Sequence, residues 1–293
     1  MSKGDLIRRF GVAAIGIPLA LLVVIKGGWL LTLFVASLAA LATQELNALA
    51  SARGVRVFPL LGIGGTVVLV LLAGWTRSFF LWAPWALVSL ILLFFLSSVS
   101  ALRLRAPEHR PLLASSLTVV SALYLGGCFS FAVFLRHFPE AGGWPPPELP
   151  SRGAVILAFP LAVTWMADTA AYLFGSLFGK RKMMPDVSPG KTVEGGASGL
   201  LTAVLVGAFM GWVFLKIHPD PIVAGLLGGA MGFLLGITTQ LGDLIESLFK
   251  REAGVKDSGT LLPGHGGILD RFDALIFTLP FAYGLFYLLG TLL

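Results

Sequence analysis

Charged residues are scarce in this sequence. Only 12% of its 293 residues are Asp, Glu, Lys or Arg, whereas a soluble globular domain carries about 25%. Hydrophobic residues make up 56% of the chain, and the mean hydropathy is +0.89. This composition excludes a soluble globular domain as the main fold and indicates that a lipid bilayer is the principal solvent.

Cysteine is almost absent as well, because Cys128 is the single one. A lone cysteine excludes both an intrachain disulfide and a cysteine-based metal cluster, so we interpret Cys128 as a packing residue. The net charge of +6 would suit a nucleic-acid partner. The basic residues are distributed over several short loops, however, so we expect no nucleic-acid partner and attribute them to membrane topology and anionic lipids.

Long hydrophobic runs take up most of the chain. A membrane-spanning helix needs about 20 apolar residues. Stretches of about this length occur at 10–25, 29–49, 58–74, 79–98, 112–135, 154–177, 195–215, 222–240 and 272–293. The sequence therefore predicts an all-α polytopic membrane protein with about nine transmembrane helices.

The positions of Lys and Arg predict the orientation of these helices, since short cytoplasmic loops carry an excess of both residues. With the N-terminus in the cytoplasm, sixteen of the 21 Lys and Arg residues fall on the cytoplasmic side and five on the opposite side. The pattern favours an N-in and C-out topology.

The chain divides into two functional halves. Residues 1–150 form a predicted scaffold of membrane helices, and residues 151–293 form a predicted catalytic half with membrane helices and cytoplasmic loops. A proline-rich segment at 138–152 separates them and cannot be helical. In the first half, Glu45 is the only acidic residue within the expected spans. It is either a functional group or a residue near the span end that extends to the membrane surface or pairs with Arg53.

The sixth expected span carries an acidic residue at membrane depth. Asp168 lies twelve residues before Lys180, which places it about 18 Å deeper along an unbroken helix. An isolated carboxylate is costly there, so Asp168 must face a polar cavity, a cation or a partner. Gly175 and Gly179 have the spacing of a close helix contact, and a substrate approach is the alternative.

The loop that follows contains Ser188-Pro189-Gly190-Lys191-Thr192 directly before the next span. Backbone amides, two hydroxyls and one ammonium at a helix start favour an anion site. The glycine spacing is not that of a Walker A loop, and an ordinary basic inner loop is the alternative. Glu194 is close enough in sequence to pair with Lys191.

Charge is concentrated between Gln240 and Asp273, which hold ten of the thirty-six charged residues. Gln240, Asp243 and Ser247 share one helix face, and so do Asp270 and Asp273. Carboxylates brought together at the ends of two helices would repel each other unless cations lay between them. Oxygen ligands favour Mg²⁺ or Mn²⁺, which clamp nucleoside triphosphates.

The connecting loop supplies complementary groups. Four cationic side chains suit phosphate: Lys250, Arg251, Lys256 and Arg271. The turn from Pro263 to Gly267 exposes amides at a helix start, where phosphate binds well. His265 is either a phosphate or proton contact or a turn residue. One of the aspartates could instead serve as a helix cap. We assign Glu246 and Glu252 to the surface or the periphery of the site.

The segment 247–273 closely resembles the signature of the integral-membrane phosphatidate cytidylyltransferases, the CDP-diacylglycerol synthases. The matching positions are Ser247, Lys250, Arg251, Lys256, Asp257, His265, Gly266, Gly267, Asp270, Arg271 and Asp273. The runs around Asp168 and from Ser188 to Gly195 also resemble that family. The motifs cover the C-terminal two-fifths of the chain.

The resemblance implies that CTP and phosphatidate react to give CDP-diacylglycerol and pyrophosphate, with Mg²⁺ or Mn²⁺ as cofactor, in two copies. By this resemblance, the catalytic residues of the chain would be Asp243, Asp270, Asp273 and Lys250, and the three aspartates would be the metal ligands. Its substrate-binding residues would be Asp168, Ser188, Lys191, Thr192, Arg251, Lys256, Asp257, His265, Gly266, Gly267 and Arg271. It further implies a bacterial-type inner membrane protein in contact with membrane lipids, with its site on the cytoplasmic side, and leaves a homodimer open.

Two other functions remain open on the sequence. A CTP-dependent lipid kinase of the polyprenol type would use similar carboxylates for attack at the γ-phosphorus. A transporter would explain many spans and Asp168, but it places its substrate site near the midplane and often has an internal repeat. The charge here is concentrated in one terminal loop instead.

Overall fold

The computed structural model of the chain describes residue 16 and residues 18–104, 110–138, 152–215, 217–261 and 266–292. Within these residues the chain is mostly helical, and residues 18–26 also lie in a helix. The longer elements are α1 (Gly28–Ala52), α2 (Pro59–Thr76), α3 (Phe79–Leu104), α4 (Pro111–Ser121), α5 (Cys128–Arg136), α6 (Arg152–Phe178), β1 (Lys182–Met184), β2 (Ser188–Thr192), α7 (Val193–Met210), α8 (Pro221–Ala253) and α9 (Leu269–Leu292). A π-helical segment, Ala122–Gly127, joins α4 to α5, and a second, Gly211–Leu215, continues α7.

The all-α polytopic fold is confirmed. Eight helices in the described part of the chain are long and apolar enough to cross a membrane. One of them is the continuous run Pro111–Arg136, which combines α4, the π-helical segment and α5. Of the nine expected spans, the first, at 10–25, lies only in part within the described residues, and the proline-rich segment lies mostly outside them. The N-in and C-out orientation stays a prediction.

Two compact units make up the structure. The first unit consists of Met1–His137 and Phe249–Phe272, and the second consists of Phe138–Leu248 and Asp273–Leu293. Helices α8 and α9 therefore each contribute residues to both units. The predicted functional division near residue 150 follows catalytic role rather than compactness, and it stays a prediction.

Polar groups inside the first unit bond to each other, as an apolar surrounding requires. The Thr43 and Thr66 hydroxyls lie 2.9 Å apart between α1 and α2. The Trp82 indole donates to the Leu69 carbonyl at 2.9 Å. In the π-helical segment, a Cβ on Gly126 would lie 2.7 Å from the Thr66 carbonyl oxygen, so glycine permits α2 to approach closely.

Glycine has the same effect in the second unit. A Cβ on Gly228 would lie 2.8 Å from the Gly211 Cα, so α8 packs backbone to backbone against the end of α7. Three buried hydroxyls connect α6, α8 and α9: Thr164 lies 3.2 Å from Thr239 and 3.4 Å from Thr278. Neighbouring helices thus satisfy one another's polar groups within the apolar layer.

A β-hairpin replaces the loop expected between α6 and α7. Strands β1 and β2 pair antiparallel, with Lys182 opposite Thr192 and Met184 opposite Ser188. The hairpin ends at the start of α7, where the Thr192 hydroxyl accepts from the Gly195 amide at 3.2 Å as the helix cap. This register fixes the position of Lys191 next to α7.

Candidate active site

An ion pair between Lys191 and Asp243 lies at the centre of the polar groups in the second unit. The Lys191 Nζ is 2.6 Å from the Asp243 Oδ2, and the two side chains are 26% and 32% exposed. Strand β2 presents the lysine and α8 presents the aspartate. The expected pairing of Lys191 with Glu194 is wrong, because Glu194 accepts from the Lys180 and Arg181 amides and from the Arg181 guanidinium.

Further carboxylates surround this pair. Asp168 on α6 interacts electrostatically with both Asp243 and Lys191. Asp273, near the start of α9, experiences the charges of Asp243, Glu246 and Asp168. Of the three surroundings expected for Asp168, a polar cavity, a cation or a partner, these charges correspond to a partner within the helix bundle. Four carboxylates and the Lys191 ammonium form what we call the acidic cluster: Asp168, Lys191, Asp243, Glu246 and Asp273.

Glu246 is a member of this cluster that the sequence places either at the surface or at the periphery of the site. Its side chain is fully buried, which excludes the surface position and leaves the periphery of the site. One signal was available in the sequence, because Glu246 follows Asp243 by three residues and shares its helix face. The predicted polar stripe on α8 makes specific contacts: the Gln240 amide donates to the Gly196 carbonyl at 3.0 Å, and the Ser247 hydroxyl approaches Asp243 at 3.5 Å.

The glycines of α6 serve helix packing. A Cβ on Gly175 would lie 3.1 Å from the Thr192 hydroxyl and 3.3 Å from the Gly195 Cα. A Cβ on Gly179 would lie 2.6 Å from the same hydroxyl. The close-contact interpretation of this spacing is confirmed, and it holds α6 with its Asp168 against the start of α7.

A second polar centre lies in the first unit, around Asp270. The Lys250 Nζ donates to the Asp270 Oδ1 at 2.8 Å, and the two side chains are only 12% and 8% exposed. The other oxygen, Oδ2, accepts from the Ser258 amide at 2.9 Å and the Gly267 amide at 2.8 Å. Three donors therefore fix the orientation of this carboxylate at the start of α9.

The glycine pair before α9 makes this arrangement sterically possible. Gly266 has φ of +82°, a left-handed conformation that side chains rarely adopt. A Cβ on Gly266 would also lie 2.6 Å from the Asp270 Oδ2. The predicted phosphate cradle thus includes two glycines whose observed role is to hold a carboxylate. His265 lies outside the described residues.

Glu45 is the other group whose position the sequence did not reveal. The expected pairing with Arg53 is wrong. Glu45 is 9% exposed and accepts from the Ser258 hydroxyl and from the Ile268 and Leu269 amides. Arg53 instead donates to the Glu252 carbonyl at the end of α8. A buried acid in an otherwise apolar span was the signal that Glu45 has a partner.

The remaining predicted substrate residues occupy more accessible positions. Arg251, Lys256, Asp257 and Arg271 are exposed, and the Arg251 guanidinium donates to the Val255 carbonyl at 3.1 Å. Ser188 on β2 is half-buried. Thr192 is buried, and its hydroxyl caps α7.

The predicted convergence of the three metal-ligand aspartates stays a prediction. Asp243 and Asp273 lie in the second unit, where they are electrostatic neighbours, and Asp270 lies in the first. Among the residues that the structure describes, no three His, Cys, Asp or Glu side chains form a ready metal cage. Mg²⁺ commonly needs only one or two carboxylates, since water and substrate phosphates complete its coordination.

Comparisons with known proteins agree with this chemistry. A model of the cytidylyltransferase family matches residues 7–289. The chain belongs to the cytidylyltransferase family. A phosphatidate cytidylyltransferase of Synechocystis is 34% identical, with 94% of each chain covered. A protein of the same name from Staphylococcus aureus is 34% identical over 92% of this chain and 94% of its own, and one from Bacillus subtilis is 39% identical over 56% of this chain and 55% of its own.

This cytidylyltransferase is therefore a nucleotidyltransferase built into a membrane. The family match runs through both units and includes the acidic cluster as well as the Lys250–Asp270 pair. The suspected resemblance of the signature segment is thereby confirmed for the whole chain and not only for its C-terminal part.

Removing one partner of the buried Lys250–Asp270 pair should destabilise the cytidylyltransferase. Lys250→Met leaves a buried carboxylate without its ammonium partner, and we expect a loss of about 3 kcal/mol in the free energy of unfolding. Adding Asp270→Asn to this variant should restore part of the loss, because the uncompensated charge is then gone. Unfolding of the purified protein in detergent with increasing denaturant measures both effects.

Arg181→Met provides the control, because it breaks an ion pair in which Arg181 is 77% exposed. We expect no measurable change there. Equal losses of unfolding free energy for Lys250→Met and Arg181→Met would show that burial does not make the Lys250–Asp270 pair more important. A double variant less stable than Lys250→Met alone would show that the unpaired charge of Asp270 is not the cause of the loss.

Proposed function

We propose that this chain synthesises CDP-diacylglycerol from CTP and phosphatidate and releases pyrophosphate. The observation that supports this most is that a membrane-embedded member of the cytidylyltransferase family groups four carboxyl groups and Lys191 in one unit. The relatives named phosphatidate cytidylyltransferase cover nearly the whole chain.

In the proposed reaction, a phosphate oxygen of phosphatidate forms a bond to the α-phosphorus of CTP. The bond from the α-phosphorus to the bridging oxygen breaks, and pyrophosphate leaves with that electron pair. A phosphate monoester has a second pKa of about 6, so at neutral pH the attacking oxygen is largely ionised already. The chain therefore needs no strong general base, and its main tasks are positioning and charge neutralisation.

Cationic side chains would hold the triphosphate. Lys191 is paired with Asp243 in the acidic cluster, and its partial exposure leaves it accessible to a phosphate. Lys250 is held in a defined position by Asp270. Arg251, Lys256 and Arg271 are exposed and would bind outer phosphate oxygens, with arginine able to do so bidentately. Ser188, Thr192, Asp257, His265, Gly266 and Gly267 complete the proposed contacts to nucleotide or pyrophosphate.

The acidic cluster suits a divalent cation. Its ligands are carboxylate oxygens, which favour Mg²⁺ or Mn²⁺. Four carboxyl groups lie in this cluster with the single ammonium of Lys191, and cations would offset the negative charge of their ionised forms. Asp243 and Asp273 would hold such an ion together with the triphosphate, and Asp270 is the third proposed ligand. When bound, two cations of this kind would neutralise charge that develops at phosphorus.

Neither alternative function explains the chain as well. A lipid kinase would share the nucleotide and the carboxylates, but the family match favours cytidylyl transfer. A transporter would not require the Lys250–Asp270 centre and the exposed cations beside it. Formation of a homodimer stays a prediction.

Turnover should follow directly from the proposed chemistry. Purified protein given Mg²⁺, phosphatidate and CTP labelled in its cytidine moiety should transfer the label to lipid and release pyrophosphate. Asp243→Asn should reduce this turnover by about 100-fold or more, because it removes a charge at the reacting phosphates. Label found only in released CDP would identify a kinase instead.

Asp220→Asn is the matched control for this experiment. Asp220 is an exposed carboxylate whose Oδ1 caps the opposite end of α8 by accepting from the Ile222 amide at 2.7 Å. We expect turnover within about twofold of the original protein, since an exposed cap contributes only to local stability. Unchanged turnover in Asp243→Asn would contradict the proposed role of the acidic cluster.

The active site is proposed to face the cytoplasm of a bacterial-type inner membrane, where CTP is available. The excess of Lys and Arg in the loops on that side supports this orientation. The two polar centres involve the end of α8 and the start of α9, so the loop between these helices marks the side of the site.

Cysteine labelling tests this sidedness. In a Cys128→Ser background, a membrane-impermeant maleimide should label Glu252→Cys only in inside-out vesicles and Asp220→Cys only in intact cells whose outer envelope is permeable to the reagent. Both positions are exposed: Asp220 directly precedes α8, and Glu252 lies in its last turn. Labelling of Glu252→Cys in intact cells would place the site on the wrong side of the membrane for CTP.

A further inference from the structure

We propose that Glu45 is a positioning residue for the reaction, which holds the connecting segment, residues 258–261 and 266–269, in the form that orients Asp270. The proposal rests on the function proposed above for Asp270. Glu45 lies in α1, and 213 residues separate it from Ser258. The first half of the chain would thus contribute directly to the geometry of the site rather than serving only as a scaffold.

Three donors converge on the Glu45 carboxylate inside the first unit. The Ile268 amide donates to Oε1 at 2.9 Å, and the Leu269 amide and the Ser258 hydroxyl donate to Oε2 at 2.8 Å each. An ionised carboxylate only accepts hydrogen bonds, so it matches this set of donors. A neutral amide in its place would direct an NH₂ group at one or more of them.

Two glycines of the segment pack directly against this carboxylate. A Cβ on Gly259 would lie 2.8 Å from the Glu45 Oε1. A Cβ on Gly267 would overlap the Glu45 Oε2 and the Ser258 hydroxyl. The backbone of the segment therefore follows the surface of the Glu45 side chain. Gly267 is needed here for a reason separate from any contact with phosphate.

The donors to Glu45 alternate with the donors to Asp270. Ser258 gives its hydroxyl to Glu45 and its amide to Asp270. The Gly267 amide bonds to Asp270, and the next two amides, of Ile268 and Leu269, bond to Glu45. Displacement of the segment from Glu45 would consequently move both amides that hold the Asp270 Oδ2. The Asp270 Oδ1 would then lose its alignment with Lys250.

Glu45 in α1 and Arg53 directly after α1 also carry the charges that the dipoles of two helix ends favour, those of α9 and α8. The Ile268 and Leu269 amides lie at the start of α9, where a carboxylate is favoured. Arg53, two turns after Glu45, donates to the Glu252 carbonyl in the last turn of α8, where a cation is favoured. A negative charge at the start of α9 and a positive charge at the end of α8 thus stabilise both ends of the connecting segment.

The test compares Glu45→Gln with Thr43→Val, a control on the same helix. Thr43 is buried and bonds to Thr66, away from the segment. For each purified variant, the kcat, the KM for phosphatidate and the hydrogen exchange of backbone amides are measured. A merely structural role would change global exchange without a specific effect in the connecting segment.

For Glu45→Gln we expect a kcat lower by about tenfold or more, with the KM for phosphatidate within about twofold. Exchange of the amides in the connecting segment, residues 258–261 and 266–269, should accelerate by about tenfold, while the helices keep their protection. For Thr43→Val we expect no change in kcat and no local acceleration at this segment. Ser258→Ala removes one of the three donors to Glu45, so it should lower kcat and accelerate local exchange as Glu45→Gln does, but by less. If Glu45→Gln does not fold, unchanged kcat and exchange in Ser258→Ala would overturn the proposal.

Protection of the connecting segment equal to that of the original protein in Glu45→Gln would overturn the proposal. A normal kcat in a folded Glu45→Gln variant would also overturn it, and so would a loss that Thr43→Val reproduces. The role of Asp270 is tested separately by Asp270→Asn. Wild-type turnover in that variant would refute the proposed function of Asp270, whatever the exchange data for Glu45→Gln show.

Discussion

The structure depends on compensating ionised side chains in a chain that is otherwise apolar. A carboxylate buried without partners is costly, and the chain meets this constraint differently in its two units. In the first unit, Asp270 and Glu45 each receive three hydrogen bonds from nearby donors. In the second, Asp243 and Asp168 share the positive charge of Lys191, and Asp273 and Glu246 lie near Asp243. The first centre is satisfied by the protein alone, whereas the second has more carboxyl groups than cationic side chains to pair with them.

This contrast suggests a division of labour between the two centres. Asp270 holds Lys250 and, through its other oxygen, the backbone before α9, so it favours a fixed geometry. The acidic cluster has a surplus of oxygen ligands and a lysine that is partly exposed, which suits the arrival of a triphosphate with its cations. A cytidylyltransferase acting at a membrane needs both properties, because its nucleotide comes from water and its lipid from the bilayer.

The sequence was informative wherever a local pattern carried the signal. Hydropathy predicted the spans, since a helix in lipid forms its backbone hydrogen bonds within its own residues and exposes apolar side chains. Helix periodicity placed Asp243 with Ser247, and spacing predicted the close contact at Gly175. Contacts between distant segments leave no such pattern, so the partners of Glu45 could not be deduced. The sequence left Glu246 open between the surface and the periphery of the site because charged residues follow it closely, and the hairpin before α7 is too short to produce clear alternation.

The central claim is that the acidic cluster binds CTP together with a hard divalent cation. The most direct measurement is retention of Mn²⁺ by the purified protein in detergent, followed by electron paramagnetic resonance with and without CTP. We expect CTP to strengthen Mn²⁺ retention and Asp243→Asn to weaken it by about tenfold or more in a protein that remains folded. Retention of Mn²⁺ and CTP by Asp243→Asn as tight as in the original protein would refute metal and nucleotide binding by the acidic cluster.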